Sequence, residues 1–137
     1  MKKTIRMNGS VIIIDDDEDI LELLSEYLLL EDFDVVGRGT DGLKAVNLYV
    51  EHRPDFVIMD IAMPKYDGIY GLENIKKLNP NATIIILTGN SDKAITQKII
   101  QLNPTTILEK PYPVEKLVSV LKSIKNLTYS GSIDILS

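Results

Sequence analysis

Five residues able to do chemistry stand at or just beyond the ends of short runs rich in branched apolar side chains. Asp15 and Asp16 follow Val11-Ile12-Ile13-Ile14, Asp60 follows Phe56-Val57-Ile58-Met59, Thr88 follows Thr83-Ile84-Ile85-Ile86-Leu87, and Lys110 lies just past Thr105-Thr106-Ile107-Leu108. If these ends meet, three carboxylates share one site, and like charges within about 4 to 6 Å raise each other's pKa. Such a site needs cations. Lys110 supplies one charge, and a divalent ion held by oxygen ligands supplies two more. Hard carboxylate oxygens favour Mg²⁺ over a softer metal. A phosphoryl group is then the natural guest, with Asp60 as its nucleophile, Thr88 as a hydrogen-bond donor to its oxygens, and metal and ammonium neutralising its charge.

Other uses of the same residues are weaker. Asp17 is read as the cap of the next helix, and one cap explains only one of the three successive aspartates. Taken singly, Thr88 reads as a turn residue and Lys110 as a solvated charge; their joint placement at strand ends argues otherwise. Asp15, Asp17, Asp19 and Glu26 fill positions 1, 3, 5 and 12 of a calcium-loop pattern, but Ile20 stands where the sharp turn needs glycine. His52, at a predicted helix end, is assigned to the surface.

The apolar runs are continuous rather than alternating, which indicates strands buried on both faces. Phe33-Asp34-Val35-Val36 and Thr105-Thr106-Ile107-Leu108 are the weaker members, as edge strands would be. Between the strands lie segments of helical spacing. The first carries Ile20, Leu24, Tyr27 and Leu28, is capped by Asp17 and runs to about Glu31. The second, capped by Thr40, carries Leu43, Val46 and Val50 and ends near His52, before Pro54. A third runs from about Tyr70 to Leu78. A fourth carries Ile95, Ile99 and Leu102. The fifth follows Pro113 with Val114, Leu117, Val118, Leu121 and Ile124. Strand and helix alternate five times, which predicts a doubly wound α/β domain with parallel strands, right-handed crossovers and helices on both faces. In such sheets ligands bind beyond the carboxyl ends of the strands, where the chosen residues lie.

The 137 residues suffice for one domain with an ordinary core. A formal charge of −5 and a pI near 4.8 make a poor match to a phosphate backbone, so direct nucleic-acid binding is not expected. The absence of cysteine excludes disulfides, thiolate chemistry and the common zinc sets. No apolar run reaches the roughly 7 to 15 residues of a signal-peptide core or the roughly 20 of a membrane span, so a cytoplasmic protein is expected. The ten residues 128–137 form a short tail, with Ile133, Ile135 and Leu136 read as part of a frayed terminus.

Over residues 9–127 the chain resembles the receiver domain of two-component response regulators. The resemblance rests on Val11-Ile12-Ile13-Ile14-Asp15-Asp16-Asp17-Glu18, on Asp55-Phe56-Val57-Ile58-Met59-Asp60-Ile61-Ala62-Met63-Pro64 with Asp67-Gly68 following, on Ile85-Ile86-Leu87-Thr88-Gly89, and on Lys110-Pro111-Tyr112. It implies a flavodoxin-like (βα)5 domain with strand order 2-1-3-4-5. It also implies that Asp60 accepts a phosphoryl group from a sensor histidine kinase. Mg²⁺ would be held by Asp15, Asp16, Asp60 and the Ala62 carbonyl, and Lys110 would pair with the phosphate. Thr88 would be drawn to the phosphoryl oxygens and reshape an output face made by the fourth helix, fifth strand and fifth helix, a face through which family members also dimerise. The family's cis Lys-Pro peptide would fall at Lys110-Pro111, where proline lowers the preference for trans to about 0.5 to 1 kcal/mol.

Some positions depart from the common pattern. Ile107 stands where an aromatic switch residue is common; it can fill a vacated space but has no hydroxyl-bearing ring to swing. Gly89 replaces an alanine, and Ala62 and Asn90 occupy positions where the family tunes phosphoaspartate lifetime. The expected function is a stand-alone phosphoacceptor switch, not a turnover enzyme, that signals to an effector protein. Two other readings are a binding module indifferent to phosphorylation, suggested by Ile107, and a Mg²⁺-dependent phosphatase. The second lacks a general acid because position 62 is alanine.

Overall fold

A computed structural model describes residues 7–63, 67–89 and 92–136, the stretch 128–136 by its backbone alone. Strands β1 (Ser10–Ile14), β2 (Asp34–Gly39), β3 (Phe56–Asp60), β4 (Ile84–Thr88) and β5 (Thr106–Glu109) alternate with helices α1 (Glu18–Leu30), α2 (Gly42–His52), α3 (Gly68–Leu78), α4 (Lys93–Gln101) and α5 (Val114–Leu136). All pairings are parallel and the strand order is β2-β1-β3-β4-β5, as expected.

The continuous apolar runs have the meaning assigned to them, because successive side chains enter two different cores. Val11, Ile13, Phe56, Ile58, Ile85 and Leu87 face α1 and α5, meeting Leu21, Leu24, Leu28, Leu117, Val118 and Leu121. Ile12, Ile14, Val57, Met59, Ile84 and Ile86 face the other way, onto Ala45 and Tyr49 of α2, Leu72 and Ile75 of α3, and Ile99 of α4. Burying one such side chain contributes about 1.5 to 3 kcal/mol, so the fully buried runs of β1, β3 and β4 carry much of the core's stabilisation. Three of the candidate site residues, Asp15, Asp60 and Thr88, are carried at their ends.

Helix starts follow local chemistry. The Asp17 side chain caps α1 by accepting from the Asp19 amide, as expected. In α2 the cap is Asp41, which accepts from the Lys44 amide at 2.8 Å, and not Thr40. Thr40 Oγ1 instead meets Lys44 Nζ at 2.7 Å. Asp67 caps α3, which therefore begins at Gly68, two residues before the expected start. The backbone of α5 continues to Leu136, past the end expected near Leu127, in a stretch without proline to stop it. The side chains of Ile133, Ile135 and Leu136 lie outside the described residues.

Candidate functional site

The strand order changes direction between β1 and β3, which opens a crevice at their carboxyl ends. Asp15 is the first residue after β1. Its amide donates to the Gly39 carbonyl at 3.0 Å, and its Oδ1 accepts from the Asp17 amide at 2.9 Å, so both its backbone and its carboxylate are held. Asp60 closes β3 and Thr88 closes β4; both are buried, as is Asp15. Asp16 is exposed at the rim.

The structure brings the three carboxylates together, with one oxygen of each of Asp15, Asp16 and Asp60 within 4.8 Å of the others. Lys110, just past β5, reaches across the crevice and places Nζ 3.1 Å from Asp60 Oδ1. Its amide donates to the Thr88 carbonyl at 2.8 Å, which ties the loop after β5 to the end of β4. The Lys110-Pro111 peptide bond is cis. Ala62 stands two residues past Asp60, in a turn fixed at its start by the Ile61 amide on the Leu87 carbonyl at 3.1 Å. Ile107 is half-buried against the cluster that includes Ile12, Ile86 and Ile99. Pro64 and Asn90 lie outside the described residues.

The cluster carries excess negative charge. Burial, then the neighbouring Asp60 and Asp16 carboxylates, push the Asp15 carboxyl above its ordinary value, while the Asp17 amide and the Lys110 ammonium pull the other way. A site whose own carboxylate resists ionisation, with three convergent oxygens and one ammonium, fits a hard divalent cation.

This electrostatic frustration has a consequence for stability. A carboxyl with a raised folded-state pKa stabilises the fold while protonated, below the unfolded value near 3.8, and that contribution is lost as pH rises through the folded-state value. Asp15→Asn keeps an acceptor for the Asp17 amide and removes the charge. Without divalent metal at neutral pH the variant is expected to unfold at higher urea concentration than wild type, and the gap should close below about pH 4, where the native carboxyl is protonated too. Added Mg²⁺ should raise the wild-type midpoint more than that of the variant.

Two features of the site stand in the sequence only as members of the quoted motifs, with no role assigned to them. Tyr112 lines a groove of about 350 Å³ with Asp15, Ile20, Leu23 and Lys110, and burial first, then Asp15 and Asp60, push its phenol above the ordinary value. The aromatic type at this position is visible in the sequence, but nothing in its spacing gives the direction of the ring. The other feature is the close approach of backbone around Gly68: an added Cβ would stand 2.3 Å from the Asp60 carbonyl oxygen. Position 89 is different, since a Cβ there would meet only Lys110, its Cβ at 3.7 Å, so the alanine common elsewhere fits without strain.

Known proteins are similar to this chain in sequence and fold. The model of the response regulator receiver domain matches residues 11–122. The chemotaxis protein CheY of Thermotoga maritima is 31% identical over 118 residues, 86% of this chain and 98% of that protein. CheY of Bacillus subtilis is 30% identical over 120 residues, 88% of this chain and all of that protein. Among solved structures, the CheX-CheY-BeF3-Mg²⁺ complex from Borrelia burgdorferi contains a chain 29% identical, with a TM-score of 0.77 over 84% of this chain and 87% of that one. A LuxR-family DNA-binding response regulator from Staphylococcus aureus gives a TM-score of 0.79 at 27% identity over 85% of this chain and 98% of that one. With a family model that spans both cores and all of Asp15, Asp16, Asp60, Thr88 and Lys110, and with relatives covered almost end to end, the chain belongs to the response regulator receiver domains of two-component signalling.

Proposed function

We propose that this protein is a phosphoacceptor switch and that Asp60 is the acceptor. The observation that carries the reading is the buried Asp60 carboxylate with Lys110 Nζ 3.1 Å from Oδ1, beside two further carboxylates at the switch point of the sheet. A carboxylate oxygen of Asp60 attacks the phosphorus of a kinase phosphohistidine. An O–P bond forms, the N–P bond breaks, and the imidazole leaves with a proton taken from water. Lys110 remains paired with the oxygens of the transferred group, and Thr88 donates its hydroxyl to one of them. Asp15, Asp16, Asp60 and the Ala62 carbonyl would hold Mg²⁺. When bound, that ion neutralises the phosphoryl oxygens as they approach three carboxylates. A similar protein has been solved with BeF3 and Mg²⁺, which supports the reading.

The new phosphate carries about −1.5 to −2 charges and biases the protein only insofar as its partner binds the two states differently. Output is assigned to α4, β5 and α5, towards an effector protein or a second copy of the chain. Among the described residues no helix is long and apolar enough to cross a membrane, in keeping with a cytoplasmic switch served by a sensor histidine kinase. Catalysis is limited to the protein's own phosphorylation and hydrolysis. A second reading, binding indifferent to phosphate, rests on Ile107, whose half-buried aliphatic side chain has no ring to rotate.

Intact mass tests the acceptor. With Mg²⁺ and a small acyl-phosphate donor, the protein should gain an acid-stable, base-labile adduct of about 80 Da that maps to Asp60 and is lost with chelator. If neither a small donor nor a cognate kinase produces an adduct, the phosphoacceptor reading fails and constitutive binding takes its place.

A further inference from the structure

Three aspartates follow β1 in succession, and among the described residues only the first two join Asp60 in the carboxylate cluster. Asp17 is used differently. Its Oδ1 accepts from the Asp19 amide at 2.9 Å, which caps α1, and its carbonyl accepts from the Leu21 amide at 3.1 Å. Its own amide donates in the opposite direction, to Asp15 Oδ1 at 2.9 Å. One exposed residue thus joins a helix end to a buried carboxylate through three hydrogen bonds.

The Asp15 carboxylate depends on that bond for its orientation. The last torsion of an aspartate side chain has only broad minima, so a well-placed backbone does not by itself fix the plane of the carboxylate. Mg²⁺ tolerates little such freedom, because it demands near-ideal octahedral geometry at about 2.0 to 2.1 Å. The Asp17 amide is a fixed donor because its residue is held from the helix side. Leu21, Leu24 and Leu28 anchor α1 in the core, and the cap keeps Asp17 extended at φ −91° and ψ 108°. Without the capping oxygen the first turn frays, and the Asp17 peptide plane turns with it.

From this chain of bonds we infer that Asp17 is a positioning residue for the metal site: by capping α1 it holds its own amide against Asp15, and so sets the orientation in which Asp15 meets a divalent cation. The inference rests on the reading of Asp15 as a metal ligand under the function proposed above. Coupling of this kind is reciprocal, so a cation held by Asp15 also steadies the first turn of α1. A cap that served only the helix would behave like Asp41, which accepts from the Lys44 amide at 2.8 Å at the start of α2 and whose own amide is not bonded to Asp15, Asp16 or Asp60.

The test is Mn²⁺ binding to the unphosphorylated protein, read from the loss of the free-ion electron paramagnetic resonance signal. Asp17→Asn and Asp17→Ala remove the same charge, but only asparagine caps, so their ratio is free of the Coulombic effect. Asp17→Ala should bind Mn²⁺ about 10-fold more weakly than Asp17→Asn, the size of loss seen when a group that orients a metal ligand is removed. Asp17→Ser, a shorter but competent cap, should restore binding to the asparagine level. Asp41→Ala should lower the urea midpoint yet bind Mn²⁺ as Asp41→Asn does. Added Mg²⁺ should slow hydrogen exchange at the Asp19 and Leu21 amides in wild type and leave it unchanged in Asp17→Ala. Equal affinity of Asp17→Asn and Asp17→Ala, beside normal wild-type binding, overturns the inference and leaves the metal site standing. An equal loss in Asp41→Ala overturns it too, by tracing the effect to overall stability. Wild type that binds no Mn²⁺ overturns the metal reading and this inference with it.

Discussion

Asp60→Asn is expected to abolish the base-labile adduct, with uptake from a small acyl phosphate falling below detection while the fold is retained. The asparagine side chain has nearly the same shape and still offers an oxygen to Lys110, whose Nζ lies 3.1 Å from Oδ1 in the native site. What it lacks is a carboxylate oxygen able to form the O–P bond. Asp60→Glu separates charge from position. It keeps the nucleophile's chemistry but advances it by one methylene within a buried pocket whose other groups are fixed by backbone: Asp15 by the Gly39 carbonyl and Asp17 amide, Lys110 by the Thr88 carbonyl. A misplacement of about 1 Å costs on the order of 100-fold, so the glutamate variant should be slow rather than dead. The check is adduct formation against time by intact mass, with secondary structure followed by circular dichroism. A full-rate adduct on Asp60→Asn would place the acceptor elsewhere and remove the basis of the proposed function.

Much of this site is legible without the fold, because the residues that carry it sit at the ends of the most strongly patterned segments. Runs such as Val11-Ile12-Ile13-Ile14 are buried on both faces only in a sheet covered by helices, and the position just past such a strand opens onto the ligand edge. Asp15, Asp60, Thr88 and Lys110 can therefore be brought to one edge from order alone. Boundaries are harder. Thr40 and Asp41 are both good caps, and only the geometry of the turn, in which Asp41 reaches the Lys44 amide, decides between them. The start of α3 is obscured because Gly68 and Gly71 weaken helical propensity, whereas in the fold their lack of a side chain is what allows the helix to sit where it does. Tyr112 shows the same limit at the site itself: its ring direction depends on packing between α1 and α5, which no local pattern encodes.

Those glycines carry the second large expected effect. At Gly68 a Cβ would stand 2.3 Å from the Asp60 carbonyl oxygen and 2.8 Å from Ile61 Cα; at Gly42 it would stand 2.2 Å from the Asp67 carbonyl oxygen and 3.0 Å from the Gly71 amide nitrogen. In both cases the obstacle is backbone, which cannot rotate away as a side chain can. Both lie on one structural route, since Gly68 supports the end of β3 and Gly42 holds the start of α2 against the residue that caps α3. Gly68→Ala and Gly42→Ala should each cost about 3 kcal/mol or more, despite the roughly 1 kcal/mol that alanine gains over glycine within a helix. Gly71→Ala meets Met59 Sδ at 2.6 Å, a flexible side chain able to shift, and should cost about 1 kcal/mol. Gly89→Ala, with its nearest neighbour at 3.7 Å, should fall within about 0.5 kcal/mol of wild type. Urea denaturation of the four variants tests this order. Because the Gly68 clash falls on the carbonyl of the proposed phosphoacceptor, Gly68→Ala should also slow adduct formation under conditions where it remains folded, while Gly89→Ala should not. Equal stability across the series would show that β3 and the loop after it yield freely, and a yielding loop could not hold Asp60 in register with Lys110.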